Sequence, residues 1–272
     1  ASNESPSLLQ LRLARLQALG DLNGLGELLQ VIPRRFDDAR IARLRVEMLL
    51  LSQETRAACQ DVRNAIQDYD AGFWQKAMAT CQLAAGETDQ ANLTIGLLRE
   101  QGAADDATFL RLFDAVERGA KTTPEIDRLT PLALAVLSIG GLPVPDSALD
   151  GADLATLLAV TRHASSSTAV RAKAGEEAAR RGALSSARLG ALYARFEFAD
   201  KRLTNVASLN GDSAEQMSGL DRRALLYQAA RQEPADPVRA ELARQALESA
   251  DAGLRVAIAR LFAPIVAEIK PR

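Results

Sequence analysis

The chain has 272 residues, 47% hydrophobic and 25% charged, enough apolar material for a sizeable core and too much for a disordered protein. Its 33 basic and 35 acidic side chains are mixed along the sequence for a net charge of −2, so no basic stripe invites nucleic acid, and 4% aromatic residues give bases little to stack on. The longest uncharged run, Leu129 to Pro145, is too short to span a bilayer comfortably and is broken by Pro131, Gly140, Gly141 and Pro143; it reads as a buried helix followed by a turn.

Helical spacing of apolar residues begins at once. Leu8, Leu11, Leu16 and Leu19 form one stripe ending at Gly20, Leu25, Leu28, Leu29 and Ile32 a second ending before Pro33, and Ile41, Leu44, Met48 and Leu51 a third. Further helices are expected near 53–68, 73–85, 87–101, 105–118 and 125–139. After the Leu142-Pro143-Val144-Pro145 turn they resume near 151–163, 167–181, 185–196, 199–209, 213–218, 221–231, 236–249 and 252–268. No alternating β-branched run argues for a strand. One-sided helices joined by short loops form antiparallel hairpins, so the expected fold is all-α. The two prolines set the expected division, an N-terminal helical subdomain over 1–141 and a C-terminal one over 142–272.

Cys59 and Cys81 are the only cysteines, 11 residues before and 11 after Asp70 in a turn-like segment. With helices on both flanks, the thiols face each other across antiparallel neighbours. Helix axes about 8–10 Å apart bring facing Cα atoms to roughly 4–6 Å, inside the disulfide window. A disulfide there implies an oxidising compartment. The competing reading is two buried free thiols. Ala1-Ser2-Asn3 without a Met fits a removed leader, as it fits a trimmed chain. Together these features place the protein in the periplasm.

Small residues recur where stripes end: Gly20, Ser52, Gly86, Gly119, Gly151 and Gly182 are separated by 32, 34, 33, 32 and 31 residues, the scale of helix-pair solenoids. The clearest unit runs from Gly72 to Gly102. Its Gly86-Glu87-Thr88-Asp89-Gln90-Ala91 turn resembles that of a tetratricopeptide repeat, with Ala79, Ala91, Ile95 and Leu98 on small or apolar positions. Gln82 departs from the family's aromatic, Ala103 from its closing proline, and Trp74 is one residue out of register. The resemblance covers about 30 residues and implies hairpins stacked into a curved solenoid.

Chemistry is sparse. His163 is the only histidine, and with no nucleophile motif around it, a surface or cap-region imidazole is expected. Two thiols and a distant imidazole make no four-ligand metal set, and no dinucleotide, phosphate-loop or serine-hydrolase motif occurs, so no cofactor or metal is expected. Asp105-Asp106 opens a helix and reads as capping, while Glu176-Glu177 and Arg180-Arg181, spaced i to i+4, read as an exposed ion-paired face. Tyr193 and Phe196, with Phe198 nearby, read as core. Phe73 and Trp74 have two readings, core plugs beneath the cysteine pair or an exposed binding anchor.

The function expected from this pattern is a non-catalytic scaffold or adaptor of the bacterial cell envelope, holding a protein or peptide segment on a concave helical face. Two alternatives stand beside it. One is the helical module of a peptidoglycan-processing system, since lytic transglycosylases carry Ala-rich superhelical regions of similar composition, although their catalytic motif is missing here. The other is an apolar-ligand carrier, drawn from the Leu129–Pro145 run.

Overall fold

The computed structural model describes residues 7–32, 38–69, 72–101, 106–199, 203, 206 and 217–269, and every extended regular element among them is helical. The chain divides into two compact units, Ala1–Ser166 and Ser167–Arg272.

The first unit carries α1 (Leu8–Ala18), α2 (Leu22–Val31), α3 (Ala39–Leu51), α4 (Thr55–Ala65), α5 (Gly72–Ala85), α6 (Thr88–Glu100), α7 (Ala107–Glu117), α8 (Pro131–Gly140) and α9 (Leu154–Val160), with a 3-10 turn at Asp146–Leu149. Each helix from α1 to α5 packs on the next. Side-chain oxygens start many of them: Ser7 and Gln10 form a reciprocal capping box on α1, and Asp21, Asp38, Asp106, Thr130 and Asp153 cap α2, α3, α7, α8 and α9.

Helix ends follow a stricter rhythm than the sequence alone suggests. Gly20, Gln53, Gly86 and Gly119 hold positive φ just past α1, α3, α5 and α7, and successive members are 33 residues apart. At each, the next amide reaches back five residues, as in Glu54 N–H to Leu49 O (2.8 Å) and Glu87 N–H to Gln82 O (2.8 Å), the Schellman closure of a helix C-terminus. The left-handed position of the second turn is Gln53, not the neighbouring Ser52 expected from composition. Gln53 is the one non-glycine with positive φ among the described residues.

The Gly72–Gly102 unit packs as its small residues demand. Ala79 and Ala91 are fully buried where α5 and α6 cross, with Ile95 and Leu98 beside them, and Gln82 accepts a 2.9 Å hydrogen bond from the Thr94 hydroxyl instead of filling space. Ala103 lies outside the described residues. Cys59 on α4 and Cys81 on α5 are bonded, with S–S 2.08 Å and Cα atoms 5.4 Å apart, as the facing-helix geometry requires.

Three boundaries differ from expectation. Residues 125–130 are not helical: Thr130 caps and Pro131 is the first residue of α8, because proline disfavours helix in the residue before it and suits the first turn. The helix expected at 151–163 is the shorter α9, with all seven of its residues buried. Pro143 and Pro145 fall inside the first unit: Leu142 and Val144 are buried, Ser166 Oγ accepts the Val144 N–H (3.0 Å), and α9 packs on α1, α3 and α8. The compact units therefore meet at 166/167, while the prolines had suggested 141/142.

The uncharged run has a definite place. Residues 132–137 of α8 are all buried, and α8 packs on α7, α3 and α5. It lies along the odd-numbered helices, the row whose C-termini carry the 33-residue rhythm.

The second unit carries α10 (Thr168–Arg180), α11 (Ser186–Tyr193), α12 (Gly219–Gln232), α13 (Asp236–Glu248) and α14 (Ala252–Ala267). Helix α10 packs on α11, α12 and α14, and α13 on α12 and α14. The helices expected at 199–209 and 213–218 lie almost wholly outside the described residues.

Candidate functional site

The first unit holds an open groove of about 430 Å³ between α1 and α3. It exists because of how the first three helices share their core. Leu25 and Leu29 of α2, with Ile32 just past its end, pack with Leu13 of α1 and with Ile41 and Met48 of α3, so α2 fills the space beneath and holds the other two helices apart. Leu13 and Ile41 form the groove floor, Leu11, Ala14 and Leu44 its apolar walls, and Gln10, Gln17, Arg40, Arg43 and Glu47 its rim. Gln10 is fixed from two sides, accepting the Ser7 N–H (2.9 Å) and bonding the Asp38 carboxylate that caps α3. Arg43 donates to Glu47 (2.8 Å), and its guanidinium sits 4.5 Å over the Phe73 ring.

The groove is apolar below, and its two rim arginines each lie beside a carboxylate, Arg40 3.9 Å from Asp38 and Arg43 2.8 Å from Glu47, while Arg12 and Arg15 do not line it. Helices α1 and α3 carry Arg12, Arg15, Arg40, Arg43 and Arg45 against the single acidic Glu47, in a protein of net charge −2. Arg45 is spent inward, capping the α2 end through Leu29 O (3.2 Å) and Ile32 O (3.0 Å). Arg40 keeps 69% of its side chain exposed while lying 3.9 Å from the Asp38 carboxylate, and Leu11 in the groove wall is 50% exposed.

Phe73 and Trp74 are core residues, which corrects their reading as a binding anchor. They are 9% and 2% exposed; Trp74 stacks on Tyr69 at 5.5 Å and meets Phe73 edge to face at 5.1 Å. His163 is also corrected: it is 2% exposed, with Nδ1 3.0 Å from the Ser166 hydroxyl. The pair ties the end of the first unit to Val144 and is closed to substrate. Asp106 caps α7 through Phe109 N–H and accepts from Lys76 Nζ (2.7 Å), as capping requires; Asp105 lies outside the described residues.

In the second unit the paired glutamates part company. Glu177 serves the exposed face, accepting from Arg180 (3.0 Å) and Arg181 (2.8 Å). Glu176 turns inward, where Arg223 grips it in a fork of 2.8 and 2.7 Å and the Tyr193 hydroxyl donates at 2.5 Å; Arg223 also donates to Ser249 O (2.8 Å). Burial and the adjacent Glu176 charge push the Tyr193 phenol far above its usual range. Burial works against the Arg223 cation, but the Glu176 bonds outweigh it and keep the guanidinium charged. Tyr193 has no exposed surface, so this network holds α10, α11 and α12 together and reaches no substrate. Helix α11 ends at Tyr193; Phe196 therefore leaves that face and stacks on Phe198, while Tyr193 meets Tyr227.

Among the described residues, no group of three or more His, Cys, Asp or Glu side chains is arranged to hold a metal ion, and no helix is long and apolar enough to cross a membrane. No protein-family model, curated protein or solved structure matches the chain.

Proposed function

We propose that this chain is a non-catalytic, protein-binding helical-repeat scaffold of the bacterial cell envelope, working in the periplasm. The observation that carries the reading is the 33-residue spacing of the left-handed turns after α1, α3, α5 and α7. Equal spacing of equivalent helix ends is how repeat proteins stack hairpins and line up one row of helices as a binding face. The tetratricopeptide-like packing of Ala79, Ala91, Ile95 and Leu98 supports the same architecture. The Cys59–Cys81 bond fits an oxidising compartment, of which the periplasm is the bacterial example.

On this reading the row of odd-numbered helices is the binding face, and the chain has already used part of it. Helix α8 lies along α3, α5 and α7, and the α1/α3 groove remains open. The apolar-ligand alternative loses its sequence support, since residues 132–137 of the uncharged run are spent on the unit's own core.

Chemical crosslinking in intact cells of the native host, followed by identification of the adducts, tests the scaffold reading: one recurrent envelope protein is expected. Bond cleavage in purified peptidoglycan by the pure protein would overturn the non-catalytic reading. Full maleimide reactivity of both cysteines in denatured, unreduced protein from the cell would overturn the compartment.

A further inference from the structure

We infer that the outward face of α1 rests on an anionic membrane surface, with Leu8, Leu11 and Leu19 entering the boundary between headgroups and acyl chains and Arg12 and Arg15 meeting lipid phosphates. The inference goes beyond the scaffold reading and does not depend on it.

The first observation is what α1 shows to solvent. Its inward side is already served: Leu13 is buried in the core shared with α2 and α3, and Leu9 and Leu16 pack against it. The two glutamines of the helix, Gln10 and Gln17, are half-buried on the groove side. Every residue that α1 exposes, through its cap Leu19, is leucine, alanine or arginine. Leu8 is 83% exposed, Leu11 50% and Leu19 64%. A helix lying on its own protein ordinarily turns polar residues of both charges outward. Single exposed leucines need no explanation, but three on one helix make a patch. Packing of α1 on α2 and α9 leaves that patch uncovered.

The second observation is charge and register. Leu8, Arg12, Arg15 and Leu19 fall at i, i+4, i+7 and i+11, within about 60° of one another around the axis, so leucines and cations lie at one depth. Helix α1 has no acidic residue, and among the described residues no carboxylate pairs with Arg12 or Arg15. Asp21, just beyond the helix, is turned to cap α2. A protein groove accepting this line needs an apolar floor with an acidic partner placed for each arginine between the leucines. The boundary layer of an anionic bilayer supplies both at every point: acyl chain for the leucines and phosphate for guanidinium groups whose stems lie along the apolar layer. Three leucines and two arginines on a helix of this length give reversible peripheral contact.

The test is flotation of the full chain with vesicles of phosphatidylglycerol and phosphatidylcholine in about equal parts, against vesicles of phosphatidylcholine alone. Binding is expected to the first and at least tenfold weaker to the second. It should fall at least tenfold in Leu8→Ser/Leu19→Ser and in Arg12→Glu/Arg15→Glu, be retained in Arg12→Lys/Arg15→Lys, and be unchanged in Leu93→Glu on α6. All these positions are exposed, so unchanged thermal unfolding confirms that each variant is folded. Raising salt from about 0.05 to 0.5 M should weaken binding, because exposed charges are screened.

The inference is overturned if the anionic vesicles do not bind, if neutral vesicles bind equally, or if the leucine pair can be replaced without loss, which would leave only a diffuse charge attraction. Binding to native membranes that disappears once their proteins are digested would overturn it in favour of a protein partner on α1. A recurrent envelope adduct in the crosslinking experiment alongside any of these failures leaves the scaffold reading standing and removes only the membrane face.

Discussion

The two units solve the problem of holding short helices together in opposite ways. The first uses an apolar layer and one covalent staple: α8 contributes six consecutive buried residues, and the Cys59–Cys81 bond fastens α4 to α5. The second places a buried ion pair at its centre, with Glu176, Arg223 and Tyr193 joining three helices. An apolar core tolerates small adjustments, whereas a buried charge tolerates only its own partner. The polar centre therefore fixes which helices meet, at the risk of a large loss when one member is removed.

That contrast gives the largest expected effect. Glu176→Ala or Arg223→Ala should each cost the second unit about 3–5 kcal/mol, because the surviving charge is left buried. The double change to Leu and Met should recover most of the loss. Urea denaturation followed by hydrogen exchange, read separately over 1–166 and 167–272, checks both the size and the confinement of the effect.

Next in size is the staple. Cys59→Ser/Cys81→Ser should destabilise the first unit by about 3 kcal/mol on the chain-entropy account and leave exchange in the second unit unchanged. Equal loosening of both units would contradict the division.

Close packing at a glycine gives a smaller test in each unit. A Cβ at Gly140 would lie 2.4 Å from Val116 Cγ2, and one at Gly175 would lie 2.4 Å from Leu192 Cδ1. Val116 is branched at Cβ and stiff, whereas the end of Leu192 can swing away. Gly140→Ala should therefore cost about 1–3 kcal/mol, and Gly175→Ala less, since alanine regains up to about 1 kcal/mol of helix propensity. Thermal unfolding of the two variants checks the order.

Gln53→Gly should go the other way. Glycine relieves the left-handed strain at φ 64° and should stabilise the first unit by up to about 1 kcal/mol. The same substitution at Ser52, with φ −81°, should not stabilise.

The smallest effect is a pH response confined to the second unit. Hydrogen bonding from Arg180 holds the Asp251 carboxyl down at about 2, well below its ordinary value. A carboxylate depressed in the folded state contributes stability in full above its unfolded value near 4 and loses it as pH falls through about 2. Asp251 also caps α14, so acid over that interval should first raise hydrogen exchange at Gly253 and Leu254. Asp251→Asn should abolish the step.

These contrasts were unevenly legible in the sequence. The cysteine pair could be read because two helices about a turn leave little freedom in where symmetric positions fall. Helix ends could be read because Gly20, Gly86 and Gly119 each sit where only a left-handed residue closes the turn. The second of those turns was misplaced by one residue because it is made by Gln53, which carries no compositional signal. Glu176 and Glu177 are adjacent and alike; which one is buried depends on Arg223, 47 residues away. His163 was unreadable for the same reason, since its burial comes from the Val144–Ser166 closure. The α1/α3 groove left no trace in the pattern of either helix. Its opening depends on how far α2 holds its neighbours apart, and no local pattern encodes that distance.

The most direct measurement is a paired photocrosslinking experiment in the native envelope, with the reactive group at Ala14 in the groove or at Leu93 on the exposed side of α6. The account predicts a discrete adduct from position 14 and none from position 93. Equal adducts from both positions, or an adduct from 93 alone, would contradict a binding face on the odd-numbered helices.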